Sequence, residues 1–254
     1  KNQSRVETLY GHLVPPTSEA AIREEILQTS PGVRVGMMLG KVDLKLQGGA
    51  MTILAGPTGH GKTLVKINMV LNYLSLHPEK KAYFFSYEES RAAILSLFLN
   101  AYIGEDISSN NRESIKSYFR DGQPTYVSQE KQGFFIRKKE EFFKTLIDTG
   151  RLNIFYCDYA IEELADAIRF LKDKSSIGLV ALDYMQMLRM LQRKSSQRQE
   201  ELKEICLMLK NLAIETGLPM LIGAQFNRTV VNEATMSPVA IGEAGDIERA
   251  AHTI

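Results

Sequence analysis

Gly56-Pro57-Thr58-Gly59-His60-Gly61-Lys62-Thr63 satisfies the pattern G-x-x-x-x-G-K-[ST] in full. Such a stretch has one demanding geometric task. Several consecutive backbone N–H groups must point inward at the β- and γ-phosphates of a nucleotide, and glycines let the chain curl that tightly. The context suits the task. The apolar run Met51–Ala55 reads as a buried strand before it, and Leu64, Ile67, Val70, Leu71 and Leu74 recur at helical spacing after it. A helix beginning near Lys62 aims the positive end of its dipole at the anion. Thr58, Gly59, His60, Gly61, Lys62, Thr63 and Leu64 form the expected cradle. Lys62 supplies a point charge and the Thr63 hydroxyl a ligand for Mg²⁺. His60 contributes its backbone N–H, and its ring is incidental.

Outward from the loop, strands and helices alternate. Ala82–Ser86, Leu152–Tyr156, Gly178–Asp183 and Pro219–Gln225 are short runs rich in Ile, Val, Phe and Tyr, read as buried strands. Two helices are expected between the second and third strands, around Ala92–Tyr102 and Gly133–Thr149. Another, carrying Leu202, Ile205, Leu209 and Leu212, precedes the last strand. This order implies an α/β fold with a mainly parallel central sheet flanked by helices. Ligands in such folds sit at the carboxyl ends of strands, so the residues just after each strand matter most.

Three of those positions carry chemistry. Asp183 ends the run Leu179-Val180-Ala181-Leu182 and can hold the Mg²⁺ shell opposite Thr63. Glu88 and Glu89 follow the second strand, and either can serve as base on an attacking water. Gln225 ends the last strand, where an uncharged amide can sense the γ-phosphate. Two long loops follow the last two of these strands, Leu188 to about Gln197 and Asn227 to about Gly245. Loops of that length in a compact domain are usually functional or mobile. The first carries Arg189, Arg193, Lys194 and Arg198 with no acid among them, a pattern able to neutralise nucleic-acid phosphates.

Composition bounds the remainder. The 254 residues are 44% hydrophobic and 24% charged, which excludes wholesale disorder. A formal charge of +1 excludes a histone-like polycation but not a local basic stripe. Cys157 and Cys206 lie in apolar runs, giving neither a disulfide framework nor a zinc site. No run approaches the roughly 20 apolar residues of a membrane span, so a soluble, cytoplasmic protein is expected. Residues 1–30, with Pro15-Pro16 and a possible helix from Ser18, read as a linker or arm.

The markers together resemble the C-terminal motor domain of DnaB-type replicative helicases, the RecA-like hexameric family that includes phage primase-helicases. The matching segments are Gln47-Gly48-Gly49, the phosphate loop, Phe85-Ser86-Tyr87-Glu88, Asp183-Tyr184-Met185-Gln186, Gln225-Phe226-Asn227-Arg228 and Gly242-Glu243-Ala244-Gly245-Asp246-Ile247-Glu248. The resemblance covers roughly residues 32–254 and implies a RecA-like P-loop ATPase over residues 31–254. It selects Glu88 as the base and Gln225 as the γ-phosphate sensor. It implies a homo-hexameric ring that binds ATP and Mg²⁺ and travels 5′–3′ on single-stranded DNA through its central channel. A primase, as a domain or a protein, and a helicase loader are the implied partners, and a bacterial, phage or plasmid origin the implied setting. In the second loop the family's Arg-Glu-x-Gly run reads Gly242-Glu243-Ala244-Gly245, so Glu243 and Gly245 match while Gly242 stands in the arginine position. The family's arginine finger lies beyond the motif ending at Glu248, and neither Arg228 nor Arg249 matches it, so the domain is read as truncated at its C-terminus. A recombinase-type ATPase on the same fold and an ATP-gated ring-assembly module are the alternatives.

Overall fold

The computed structural model describes Ser18, Arg23 and residues 32–39, 41–104, 111–192 and 197–225. The chain divides into two compact units, Lys1–Pro31 and Gly32–Ile254. The possible helix from Ser18 falls almost wholly outside the described residues.

The second unit opens with an antiparallel hairpin of β1 (Val33–Leu39) and β2 (Val42–Leu46). Then come β3 (Met51–Gly56), α1 (Lys62–Leu76), β4 (Lys81–Ser86), α2 (Arg91–Ile103), α3 (Asn111–Asp121) and α4 (Gln129–Phe142). A single π-turn, Phe143–Ile147, leads into β5 (Leu152–Tyr156). The order continues with α5 (Ile161–Lys174), β6 (Ile177–Asp183), a 3₁₀ turn at Met185–Met187, α6 (Arg198–Thr216) and β7 (Met220–Gln225). All five strands expected from the sequence form one sheet in the order β3-β7-β6-β4-β5, and every pairing is parallel.

Three elements lie outside the sequence reading. The β1–β2 hairpin is one; it buries Val35 and Leu46 against Ile67 and Val70 of α1. A second is α3, so three helices and not two stand between β4 and β5 among the described residues. The third is α5, whose Ile161, Leu164, Ala165 and Ile168 form one buried stripe. Its ends are built for a helix. Glu162 and Glu163 occupy the first turn, Lys172 and Lys174 the last, and the Glu163 carboxylate accepts from the Ala160 N–H at 2.9 Å.

Strand side chains alternate between two apolar layers, as a period of two requires. Ala82, Phe84, Leu179, Ala181 and Leu221 pack with α1, α2 and α4. Tyr83, Phe85, Val180, Leu182 and Ile222 face the opposite way, onto α5 and α6. Each fully buried Phe or Leu contributes roughly 1.5–3 kcal/mol. Strands β3, β7, β6 and β4 are covered on both faces, which explains why they read as apolar runs, while at the edge strand β5 Phe155 and Tyr156 are exposed. Cys157 and Cys206 are buried within the second layer and are not joined in a disulfide.

Register then brings the chemistry together. Gly56 pairs with Gln225, and Ser86 with Asp183. The carboxyl ends of β3, β7, β6 and β4 therefore lie side by side. Helix α1 starts from the first and crosses toward β6, burying Lys66 at Asp183.

Candidate functional site

The phosphate loop turns on glycines that no other residue replaces cheaply. Gly59 and Gly61 have φ of 79° and 78°, a left-handed conformation that a Cβ disfavours. Gly61 is the N-cap of α1, so the free N–H groups of the first turn face the loop. Around them lies a cavity of about 320 Å³, lined by Thr58, Gly59, Gly61, Lys62, Thr63, Leu64, Glu88, Glu89, Asp183, Tyr184 and Gln225 among others. Nearly every nucleotide-site residue expected from the sequence thus meets in one space. His60 is the exception; it is exposed, and its Nδ1 lies 3.0 Å from the Thr58 carbonyl oxygen.

Lys62 folds back so that its Nζ donates to the Pro57 carbonyl at 2.7 Å. Partial burial pushes its ammonium below the ordinary lysine range, while Asp183 and Glu88 pull it back up. The lysine is thereby held over the loop it serves. Thr63 Oγ1 donates to Asp183 Oδ2 at 2.6 Å. This hydroxyl and carboxylate are the hard oxygen donors that Mg²⁺ prefers. Among the described residues no group of three or more His, Cys, Asp or Glu could hold a metal unaided. The donor set therefore fits a Mg²⁺ that completes its shell with phosphate oxygens and water.

Glu88 and Glu89 both line the cavity, but they differ in company. The charge of Glu88 acts on Lys62 and Lys66. The Glu89 backbone is tied into a turn, its N–H donating to Ser86 Oγ at 3.1 Å and its carbonyl accepting from the same hydroxyl at 2.7 Å. Strand β4 is not the sheet neighbour of β3; β7 and β6 stand between them. Glu88 lines the cavity from the β6 side, two residues after Ser86, which pairs with Asp183.

Two participants were not assigned a role from the sequence. Lys66, one helical turn after Lys62, is fully buried and ion-paired to Asp183 Oδ1, with the Leu182 carbonyl at 3.2 Å. Its signal was a cation inside the inward stripe Ile67, Val70, Leu74 of α1. Burial lowers its ammonium to about 8, against the opposing pull of Asp183. Gln186 is the other. Its side-chain amide brackets the main chain of Gln225, donating to the carbonyl at 3.1 Å and accepting from the N–H at 3.2 Å. Gln225 Nε2 in turn donates to Thr58 Oγ1 on the phosphate loop.

The first long loop departs from its sequence reading. Arg198, counted there among four loop cations, is the first residue of α6 and is spent within the protein. Its guanidinium donates to the carbonyls of Gln186 and Leu188 at 2.8 and 2.7 Å and to Glu201 Oε2 at 2.7 Å. Glu201, nearly buried, also accepts from the Met190 N–H at 3.0 Å. Arg198 is a clasp that fixes the entry to the loop. The Arg189 side chain is exposed, while its carbonyl accepts from the Ile161 N–H at 2.9 Å. Arg193 and Lys194 lie outside the described residues, as do Phe226-Asn227-Arg228, Gly242, Glu243, Gly245 and Arg249. No helix among the described residues is long and apolar enough to cross a membrane.

Comparison with known proteins bears on the family and the fold. Residues 32–254 match the family described as the DnaB-like helicase C-terminal domain. A probable replicative DNA helicase of Trieres chinensis is 28% identical over 234 residues, covering 89% of this chain and 48% of that protein. A probable plasmid replicative DNA helicase of Chlamydia muridarum is 25% identical, covering 86% and 46%. The chain thus spans about half the length of these relatives. Among solved structures, one of a DnaB-like replicative helicase and its interactions with primase superposes with a TM-score of 0.72 at 19% identity, over 99% of this chain and 59% of the other. The ATPase domain of G40P gives 0.68 at 18% identity, over 99% and 81%.

Proposed function

The chain belongs to the family of DnaB-like helicase C-terminal domains, and on that premise we propose that it is the ATP-hydrolysing motor of a replicative DNA helicase. It acts as a homo-hexameric ring that pulls single-stranded DNA through its centre and so unwinds the duplex. The observation that carries this reading is the convergence of four strand ends on one cavity, with Gln225 joined to both the phosphate loop and Gln186.

Each residue has a stated task. The N–H groups at the start of α1 and the Lys62 ammonium hold the β- and γ-phosphates. Mg²⁺, held with the nucleotide by Thr63 and Asp183, would offset phosphate charge. Glu88 orients the attacking water and takes its proton. Gln225 Nε2 exchanges Thr58 Oγ1 for the γ-phosphate when ATP binds. Because Gln186 grips the Gln225 main chain, that exchange is felt at the root of the first loop, which Arg198 anchors. Arg189, Arg193 and Lys194 on that loop, and Gly242, Glu243 and Gly245 on the second, contact the DNA backbone. A primase and a loader are the expected partners, and the cytoplasm of a bacterial cell, with a chromosomal, plasmid or phage gene, is the expected setting.

The test is ATP-dependent strand displacement on a forked DNA duplex, with Lys62→Ala as control. Displacement by the unaltered protein and not by the variant supports the motor. Hydrolysis that single strands stimulate without any displacement moves the assignment to a recombinase-type ATPase or an assembly module. Near-normal turnover by Lys62→Ala removes the phosphate-loop assignment itself.

A further inference from the structure

Lys66 is an unusual tenant of a phosphate site. Its side chain has no exposure, and that of Asp183 has 5%. Ionised groups are rarely buried so completely unless paired. The pair sits in a slot shaped for it. Lys66 Nζ bonds Asp183 Oδ1 and the Leu182 carbonyl, and stands 5.8 Å above the centre of the Phe84 ring. The opposite wall is the bare backbone of Gly223 on β7. A Cβ there would collide with Lys66 Nζ and lie 3.1 Å from Asp183 Oδ1. Thr63 occupies the other oxygen, Oδ2. Both oxygens of the carboxylate are therefore engaged, and its charge is balanced by an ammonium in direct contact.

A divalent ion arriving alone gains little from a carboxylate so neutralised. An ion arriving with nucleotide brings the phosphate charge that retains it. We propose that Lys66 is a positioning residue acting as a resident cation on Asp183, so that a divalent ion is retained at this site only together with nucleotide phosphates. With Oδ1 bound by the ammonium, Oδ2 is the oxygen beside Thr63. This inference rests on the reading of Thr63 and Asp183 as the metal side of a nucleotide site.

Mn²⁺ is a direct probe, because its free ion is counted by electron paramagnetic resonance. The full chain, Lys66→Gln and Lys66→Met are titrated with Mn²⁺ with and without ADP, after circular dichroism has established that each is folded. Gln keeps a donor for Asp183 without the charge, and so guards against a Met variant that fails to fold. The unaltered protein is expected to take up Mn²⁺ with ADP and not alone. The variants are expected to take it up without ADP, with an apparent Kd at least roughly tenfold below the detection limit of the titration for the unaltered protein. Adding Asp183→Asn to either variant is expected to abolish that gain. Uptake by the unaltered protein without ADP, or folded variants indistinguishable from it, overturns the proposal. Failure of the unaltered protein to take up Mn²⁺ even with ADP overturns the underlying site reading as well, so the two failures are told apart.

Discussion

Replacing Arg198 by Ala separates the clasp from the loop cation that the sequence suggested. The guanidinium makes three charge-assisted hydrogen bonds, two to carbonyls at the root of the first loop and one to Glu201. The Glu201 side chain is 3% exposed and that of Arg198 is 31% exposed. Removing one partner of a buried ion pair costs about 3–5 kcal/mol. Here solvent reaches the arginine and Met190 N–H still serves the orphaned carboxylate, so about 2–3 kcal/mol is the working figure. In a domain of this size that lowers the melting temperature by roughly 4–12 °C. The assay pairs thermal denaturation with single-strand affinity measured across salt concentrations. Arg198→Ala is expected to lower the melting temperature while the slope of log affinity against log salt stays as it was. Arg189→Ala, at an exposed position, is expected to leave the melting temperature alone and to flatten that slope by about one phosphate contact. An Arg198→Ala protein of unchanged stability with a flattened salt slope refutes the clasp and returns the residue to the DNA-binding set.

Two further substitutions probe the site. Glu88→Gln is expected to bind ATP and hydrolyse it at least about 100-fold more slowly, whereas Glu89→Gln hydrolyses nearly normally; single-turnover kinetics read both, and the opposite pattern makes Glu89 the base. Gly223→Ala adds one methyl group against Lys66 and Asp183 and is expected to cost about 1–3 kcal/mol in urea denaturation. An unchanged midpoint would mean that the slot is looser than its contacts indicate.

The legible parts of this molecule were those where local pattern and burial coincide. Strands β3, β7, β6 and β4 are covered on both faces, so each stands out as an apolar run between polar segments, and β5 stands out through its own apolar and aromatic residues although Phe155 and Tyr156 are exposed. The phosphate loop is contiguous, and its chemistry is written in eight adjacent residues. Helix α5 carries an equally plain stripe at Ile161, Leu164, Ala165 and Ile168, and nothing physical hides it. The hairpin was harder. A register shift between Arg34 and Met38 breaks the alternation that would have marked β1. Helix α3, NRESIKSYFRD, sets Ile115, Tyr118 and Phe119 at helical spacing, but one turn of apolar residues in a strongly polar stretch is a short signal. The roles of Lys66, Gln186 and Arg198 were illegible for a different reason. Each is decided by a partner far along the chain or by the path of a loop, and residue type alone says only that a lysine or arginine is usually in water.

The pairing of β3 has a consequence for how the protein comes into being. Among the described residues the strand neighbour of β3 is β7, so Met51 waits for Met220. During synthesis the phosphate loop leaves the ribosome long before the strand that fixes its base and carries Gln225. Contacts of such sequence separation form late and slowly. Nucleotide added to a translating ribosome therefore has no finished site to recognise until nearly the whole described chain has emerged, and the capacity to bind it becomes a signal that the sheet has closed in the right order.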